Sequence, residues 1–395
     1  MQHTLLRRTV TRLARGLDRA FSGTALNPPR RFTRVSRAEQ LDHDARIHAL
    51  EVIASFYGRA EFETRENALL PRPEPIAPQI VRARRFGTRG EVVDLQWPSL
   101  FEPLWSRQAL ADHLAALPAR ELEALNLPAS GVQLFDRSAD LREKYLRAQG
   151  NRTAHARWFR HDGAPRPCVV LIHGYMGGSF ALEQRLWPVK RLFRSGFDVV
   201  MTVLPLHGPR RAEARGYRPP AFPSSDVRFT IEGFRQLVFD HRAIFDYLHS
   251  AGIVRLGVMG MSLGGYSAAL LSTLEESLRF GVLVVPLAAI EDFVHSNGRT
   301  VGAPTQQLAQ HAALARAHSA ISPYTRPALV PGERMVVVAG EADLVTGLEH
   351  ARKLSGHFGA ELSLFHGGHL LHAGREEAFA PVWRLLGAFA SGELP

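Results

Sequence analysis

One serine of this sequence lies in a pattern that suits a catalytic nucleophile. The residues Gly260-Met261-Ser262-Leu263-Gly264 stand between a strand-like run, Arg255 to Met259, and a helix-like segment. In so tight a strand-to-helix turn the backbone before the serine comes close to the backbone after it, so small residues are needed two positions away on either side. Gly260 and Gly264 meet this need. The turn would expose the Ser262 hydroxyl at the end of a strand, beside a helix N-terminus that stabilises developing negative charge.

A second glycine-rich turn follows an earlier strand-like run and suits an oxyanion hole. The run Cys168 to Ile172 leads into His173-Gly174-Tyr175-Met176-Gly177-Gly178. A serine nucleophile needs hydrogen-bond donors for the oxyanion of its tetrahedral intermediate, and each donor stabilises the transition state by roughly 3 kcal/mol. We predict that the backbone N–H groups of Tyr175 and Leu263 are these donors, with the N–H of Met176 as the alternative to that of Tyr175.

A serine also needs a general base, and the chain has 18 histidines from which to choose. His369 follows the last strand-like run, Leu362 to Phe365, within the sequence Gly367-Gly368-His369. The paired glycines leave room for an imidazole to reach over the sheet. The loop position therefore predicts His369 as the base, with His366 and His372 as the neighbouring alternatives.

The acid that orients the base should follow another strand. The run Met335 to Ala339 leads into Gly340-Glu341-Ala342-Asp343. Asp343 lies where this loop turns back over the sheet, and the order Ser, Asp, His along the chain also favours it. Glu341 is one rival, and Glu291 or Asp292, at the end of the preceding strand, is the other.

The segments around these residues predict how they are positioned. From about Ala154 onward, short apolar runs alternate with amphipathic helical segments. The runs are Val169 to Ile172, Asp198 to Leu204, Arg255 to Met259, Gly281 to Val285, Met335 to Ala339 and Leu362 to Phe365. Such alternation predicts an α/β fold, with a mostly parallel central sheet flanked by helices. Chemistry then gathers at the carboxyl ends of the strands. A helix near residues 230 to 250 is well marked, and Thr230 is predicted to cap its start. Helices are also predicted from Arg107 to Leu127 and near residues 180 to 195, and a strand is predicted around Glu91 to Trp97.

Taken together, the motifs resemble those of the α/β-hydrolase superfamily, specifically its serine esterase and lipase branch. Gly-x-Ser-x-Gly at Gly260, His-Gly-Tyr-Met-Gly-Gly at His173, Gly-Glu-Ala-Asp at Gly340 and Gly-Gly-His at Gly367 lie at the expected strand ends, within about residues 165 to 395. The segment Leu204 to Arg210 is similar to a loop of dienelactone-hydrolase-like esterases, although this chain has serine where those hydrolases have a cysteine nucleophile.

The resemblance implies a serine hydrolase that cleaves a carboxylic ester, a lipid or thioester included, through a Ser-His-Asp triad and an acyl-enzyme. Met176, Met261 and His207 are expected to contact the substrate. An acyltransferase, an amidase or peptidase with the same triad, and a non-catalytic binding or scaffold protein are the alternatives. No cofactor and no metal is expected.

The chain is expected to divide into an N-terminal helical extension with its linker, residues 1–75, and an α/β-hydrolase domain, residues 76–395. A helix is predicted from Arg37 to Phe62, and the proline-rich stretch after it predicts an extended connector. Two segments, 209–227 and 291–326, are candidate lids. The arginines of the first, Arg210, Arg211 and Arg215, could pair with an anionic substrate or remain solvated.

The first 23 residues predict a basic amphipathic helix. Leu6, Val10, Leu13, Leu17 and Phe21 recur at steps of three and four, with arginines between them. Such a helix could pack on the body of the protein, lie on a membrane surface or serve as an organelle-targeting segment.

Composition narrows the remaining classes of partner. The formal net charge is +10, but no zinc-finger or RNA-binding pattern accompanies it, so no nucleic acid is expected as a partner. Cys168 is the one cysteine, which excludes an intramolecular disulfide and a multi-cysteine metal site. No apolar stretch approaches the roughly 18 residues that span a bilayer. A cytoplasmic location is expected, with peripheral membrane contact through the N-terminal helix left open, and the oligomeric state is left open too.

Overall fold

Nine strands form one mixed sheet in the computed structural model of the protein, which describes residues 2–22, 43–64, 67–125, 141–211 and 220–394. The strands are β1 Gln79–Arg85, β2 Gly90–Pro98, β3 Thr153–His161, β4 Cys168–Ile172, β5 Asp198–Thr202, β6 Leu256–Met261, β7 Leu278–Val284, β8 Met335–Gly340 and β9 Glu361–Phe365. Their order across the sheet is β1-β2-β3-β5-β4-β6-β7-β8-β9. Strands β4 to β9 run parallel, whereas β1, β2 and β3 extend the sheet with antiparallel pairs. The predicted α/β architecture is confirmed.

Helices cover both faces of this sheet. They are α1 Gln2–Phe21, α2 His43–Tyr57, α3 Ala60–Thr64, α4 Arg107–Ala116, α5 Ala119–Ala124, α6 Leu141–Leu146, α7 Phe180–Leu186, α8 Val189–Arg194, α9 Val227–Ser250, α10 Leu263–Leu271, α11 Ile290–Ser296, α12 Pro304–His318, α13 Gly347–Phe358, α14 Arg375–Ala378 and α15 Ala380–Ser391. Successive strand residues point to opposite faces, so Val170 packs with α9 and α10 while Val169 packs with α8 and α15. The central strands are therefore buried on both sides.

Each of the six apolar runs predicted after Ala154 overlaps one strand of the sheet, β4 to β9, with bounds that differ by one to three residues at one or both ends. Two further strands, β1 and β3, were not predicted because their sequences carry charged side chains. In β3, Arg157 is nearly buried and donates from Nε to Asp94 of β2 at 2.6 Å. An ion pair across two strands thus allows a charge inside a strand that the apolar pattern does not reveal.

Several helices are shorter than predicted, since prolines and a glycine interrupt them. The segment 180–195 forms two helices, α7 and α8, separated at Pro188, and α4 ends before Pro118. The part of the predicted 37–62 helix that is described ends at Tyr57, before Gly58. Residues 37–42 lie outside the described residues.

The predicted cap of α9 is wrong. Its N-cap is Asp226, whose carboxylate accepts the backbone N–H of Arg228 at 3.1 Å. Thr230 lies within the first turns of the helix, and its hydroxyl donates to the carbonyl of Ser224 at 3.0 Å. Both residues can cap a helix, and the loop before α9 decides between them.

The N-terminal segment contributes to the main core. Ile53 and Phe56 of α2 belong to the same buried cluster as Phe234 of α9. The hydroxyl of Tyr57 donates to the buried Glu232 of α9 at 2.7 Å. The range predicted as an extension therefore packs on the same face of the sheet as α9.

The predicted basic N-terminal helix is present as α1. Ala14 and Asp18 are fully buried, whereas Leu13 and Leu17 are 59% and 49% exposed. The helix thus packs through its small and acidic residues and leaves these two leucines facing solvent. Among the described residues, no helix combines the length and apolar character that a membrane span requires.

Candidate active site

Ser262 lies in a strained turn between β6 and α10. Its backbone has φ 56° and ψ −115°, a conformation that costs of order 1–3 kcal/mol for a residue with a side chain. A Cβ at Gly260 would lie 1.9 Å from the carbonyl oxygen of Gly264, and one at Gly264 would lie 2.1 Å from that of Ile172. The two glycines therefore let the turn pack against the end of β4, as the sequence predicts.

The structure brings Ser262, His369 and Asp343 into one hydrogen-bonded chain. The Oγ of Ser262 is 2.9 Å from Nε2 of His369, and Nδ1 of His369 is 2.8 Å from Oδ2 of Asp343. His369 and Asp343 are buried, whereas Ser262 is partly exposed. This order of contacts is the one that lets a neutral imidazole accept the serine proton while the carboxylate fixes its orientation.

Asp343 is held by the backbone that follows it. Its Oδ1 accepts the N–H of Val345 at 2.8 Å and that of Thr346 at 3.0 Å, and its Oδ2 accepts the Thr346 hydroxyl at 2.9 Å. Burial opposes ionisation, but His369 and these donors outweigh it and lower the pKa of Asp343 to about 2. The carboxylate is therefore charged at neutral pH.

The same contacts act on His369. Burial disfavours the imidazolium, but the charge of Asp343, its hydrogen bond to Nδ1 and the charge of Asp18 together raise the pKa of His369 above its ordinary value. An imidazole with a raised pKa is a stronger proton acceptor.

The rival acids have other surroundings. Asp292 accepts a hydrogen bond from His311 at 2.7 Å and also pairs with Lys353. Burial raises the pKa of Glu291, and the side chain of Glu341 is exposed. The carboxylate that contacts His369 in the sheet-end loops is that of Asp343.

The rival base His372 has a structural contact. Arg375 donates to Nδ1 of His372 at 2.9 Å, so the proton of the neutral ring lies on Nε2, which donates to the carbonyl of His369 at 2.8 Å. Burial and the nearby arginine lower the pKa of His372 to about 4. It therefore shapes the loop that carries His369.

The loop predicted to form the oxyanion hole packs against the serine. A Cβ at Gly174 would lie 3.2 Å from Cβ of Ser262, so the backbone before Tyr175 approaches the nucleophile closely. His173 fixes the loop from below, because its Nδ1 donates to the carbonyl of Gly174 at 2.7 Å and its Nε2 accepts the N–H of Leu204 at 3.1 Å. Burial lowers the pKa of His173 to about 4 and keeps the ring neutral. The donor role of the Tyr175 and Leu263 N–H groups stays a prediction.

The three residues expected to contact substrate lie in different environments. Met261 directly precedes Ser262 and Met176 lies in the loop after β4; both are partly exposed, and Met176 has φ 71°. His207 has no exposed surface, and its ring packs edge-on against Tyr175 with centroids 5.9 Å apart. This position favours a structural role for His207 over the predicted contact with substrate.

The candidate lids are described in part. Residues 212–219 of the first lid, and Arg215 with them, lie outside the described residues. Arg210 is buried and donates to Asp240 at 2.7 Å, so it is neither solvated nor available to an anionic substrate. The second lid contains α11 and α12, and α12 packs against α2. Within the described ranges, no group of three or more His, Cys, Asp or Glu side chains is arranged to hold a metal ion.

The sequence patterns missed Asp18 of α1, whose carboxylate contacts the loop that carries His369. The signal was weak but present, since Asp18 is the only acidic residue among the first 23. A single acidic residue on a basic helix indicates a position that accepts hydrogen bonds from another part of the protein.

Sequence comparison finds relatives that are themselves uncharacterized. No protein family model matches the chain. The uncharacterized proteins MT2702 and Rv2627c, from two strains of Mycobacterium tuberculosis (CDC 1551 and H37Rv), are each 34% identical to it over 234 residues. That match covers 58% of this chain and 55% of each relative, so it spans little more than half of their length.

Among solved structures, the acetyl xylan esterase from Paenibacillus sp. R4 superposes with a TM-score of 0.53 at 16% identity. The superposition covers 84% of this chain and 95% of that one. With the strand order and the serine turn, it establishes that the chain has the fold of the α/β-hydrolase superfamily.

Proposed function

We propose that the protein is a serine-dependent carboxylic-ester hydrolase, with Ser262 as nucleophile, His369 as general base and Asp343 as the acid that orients the base. The observation that carries the proposal is the chain of two hydrogen bonds, 2.9 Å and 2.8 Å long, that joins the three side chains. Two features support it further: the strained φ of Ser262 and the raised pKa of His369.

In the first step, Oγ of Ser262 bonds to the carbonyl carbon of the ester while Nε2 of His369 takes the hydroxyl proton. The carbonyl π electrons move to oxygen, and the N–H groups of Tyr175 and Leu263 stabilise the resulting oxyanion. The intermediate collapses, the bond to the alcohol breaks, and His369 returns the proton to the leaving oxygen. Asp343 stabilises the imidazolium during these transfers.

In the second step, water releases the acyl group. His369 takes a proton from the water as its oxygen bonds to the acyl carbon, and Ser262 leaves with the proton returned by His369. No group beyond the chain's own residues and water takes part. The name of the Paenibacillus protein, an acetyl xylan esterase, is consistent with ester cleavage on this fold.

Two measurements test the proposal. The first is labelling by a fluorophosphonate, which bonds to an activated serine, and the second is hydrolysis of p-nitrophenyl esters from acetate to palmitate. We expect the wild type to be labelled and to turn over at least one ester, and Ser262→Ala to lose both. Ser250→Ala, which removes an exposed hydroxyl at the end of α9, is the matched control.

Full labelling of Ser262→Ala would disprove the assignment of the nucleophile. Labelling of the wild type without turnover of any ester would retain the nucleophile but point to acyl transfer or to an amide substrate. The acyl length that reacts fastest would also show whether a lipid chain fits the site.

A further inference from the structure

The carboxylate of Asp18 on α1 contacts both loops that carry the proposed catalytic residues. Its Oδ2 accepts the backbone N–H of His369 at 2.9 Å and that of Leu344 at 3.1 Å, and its Oδ1 accepts the N–H of Leu370 at 3.1 Å. Leu344 directly follows Asp343. One side chain, distant in sequence, therefore ties the loop after β8 to the loop after β9.

Asp18 is fully buried, so these three bonds are its environment rather than a surface contact. Hydrogen bonds to an ionised group are typically about twice as strong as those between neutral groups. A buried carboxylate with three backbone donors fixes the positions of those donors, and two of them belong to His369 and its neighbour.

The sequence of the His369 loop is adapted to this contact. A Cβ at Gly368 would lie 2.6 Å from Oδ2 of Asp18 and 3.2 Å from Cβ of Ala14. The second glycine of the Gly-Gly-His motif and the small Ala14 thus make the room in which α1 sits. Thr11 adds a further bond, from its hydroxyl to the carbonyl of His366 at 3.3 Å.

Asp18 also adds negative charge close to the imidazole. The titratable and charged groups around the ring are Asp18 on α1, Asp343 after β8, His350 on α13, His372 before α14 and Arg375 on α14. The pKa of His350 and that of His372 are lowered, chiefly by burial, so both rings are neutral where His369 titrates. The carboxylates of Asp343 and Asp18 are thus the charges that favour the imidazolium.

From these contacts we infer that α1 is a component of the active site and that Asp18 is a positioning residue for His369. It holds the backbone of His369 at the position from which the ring contacts both Asp343 and Ser262, and its charge makes the imidazole a stronger base. This inference rests on the proposed function and extends it to a helix that no motif of the chain identifies.

Two substitutions separate the two roles. Asp18→Asn can keep one oxygen toward the N–H groups of His369 and Leu344, but it removes the charge and the bond to the N–H of Leu370, because an amide nitrogen cannot accept. We expect its acid limb, in a plot of rate against pH, to move to lower pH. Asp18→Ala removes all three bonds, and we expect the rate of fluorophosphonate labelling to fall by about 10- to 100-fold, as for misplaced catalytic groups.

The readout is the rate of fluorophosphonate labelling of Ser262 as a function of pH, which requires no knowledge of the substrate. The exposed acid Asp44 on α2 offers a matched control, since Asp44→Asn makes the same charge change away from the site. Melting temperatures show that each variant is folded. An acid limb of Asp18→Asn that coincides with that of the wild type would overturn the electrostatic role, and unchanged labelling of Asp18→Ala would overturn the positioning role. Failure of the wild type to label would instead refute the proposed function.

A double-mutant cycle gives an independent test. Gly368→Ala should slow labelling strongly in the wild type, because its methyl group collides with Asp18. The same change should cost much less in Asp18→Ala, where the carboxylate is absent. If the double variant is slowed by the product of the two single factors, Asp18 and Gly368 act independently on the labelling rate. That result would overturn the inference.

Discussion

His369 lies between two buried carboxylates, and this arrangement determines how the site responds to pH. Asp343 contacts Nδ1 directly, and Asp18 acts through the backbone and through its charge. Both favour the imidazolium, whose pKa is raised above the ordinary value of about 6.5. The base is active only when neutral, so activity must fall as the pH drops through that raised pKa.

We therefore predict a rate profile that declines on the acid side with a midpoint above about pH 6.5. The carboxyl of Asp343, with a pKa of about 2, does not titrate in that range and adds no second step. The measurement is kcat/KM against pH for the fastest p-nitrophenyl ester. A midpoint below that of a free imidazole would contradict the assignment of His369 as the base.

Replacing Asp343, the acid that orients the base, should lower kcat strongly. In Asp343→Asn the amide can donate to Nδ1, which favours the wrong tautomer of His369, so we expect kcat to fall by about 10⁴-fold. Asp292→Asn, in which the rival acid is changed, is the matched control and should retain activity. The reverse result, a loss in Asp292→Asn alone, would move the triad acid to α11.

At the scale of single residues, the sequence motifs predicted which side chains meet at the strand ends. Ser262 is revealed by its flanking glycines, because only glycine fits where a Cβ would lie about 2 Å from a carbonyl oxygen. Loop position and chain order favoured Asp343 over Glu341, Glu291 and Asp292, but spacing alone does not encode how each loop turns after its strand. Asp18 lies more than 300 residues from its partners, and no local pattern encodes such a contact.

Helix α1 presents an outward face of unusual composition. Leu13 and Leu17 are 59% and 49% exposed, and Arg12, Arg15 and Arg19 are exposed around them. Leu370, whose N–H bonds to Asp18, is 48% exposed beside the helix. Apolar and basic side chains on one exposed surface favour an anionic lipid surface as the partner.

We predict that the protein sediments with anionic vesicles at low salt and that binding weakens as salt screens the arginines. Leu13→Gln together with Leu17→Gln should reduce binding by about tenfold or more, because burying the exposed half of each leucine contributes roughly 0.8–1.5 kcal/mol. Leu308→Gln, at a comparably exposed leucine on α12, is the control. Equal binding of both variants, or none by the wild type, would refute the membrane contact.

At the scale of elements, the apolar runs predicted the central strands because these are buried on both faces. The edge strand β1 is exposed along its whole length, so its sequence carries no apolar signal. Strand β3 contains the polar residues Arg157 and His161, whose side chains contact Asp94 and Asp198 on the neighbouring strands. Patterns based on burial cannot detect such strands.

At the scale of the whole molecule, α9 connects the N-terminal segment to the rest of the fold through buried hydrogen bonds. Glu232 of α9 is fully buried and accepts hydrogen bonds from the hydroxyl of Tyr57 at 2.7 Å and from the N–H groups of Leu104 and Trp105 at 3.1 Å. Arg235 pairs with Glu232 and donates from Nε to the carbonyl of Leu69 at 2.6 Å. One ion pair thus joins three separate segments of the chain before β3.

Because α2 shares its core with α9, we predict that the chain unfolds in one transition rather than as an extension followed by a domain. Phe56 of α2 is fully buried, and the centroid of its ring lies 4.6 Å from the ring centroid of Trp105. Phe56→Ala should therefore lower the free energy of unfolding by about 3–5 kcal/mol. Leu100→Ala, at a leucine that is 68% exposed, should change this free energy little.

Tryptophan fluorescence and far-UV circular dichroism, followed together in denaturant, should give coincident curves for the wild type. An early fluorescence transition that removes only a minor part of the helical signal would show that the N-terminal segment unfolds on its own, and Phe56→Ala would then shift that first transition alone.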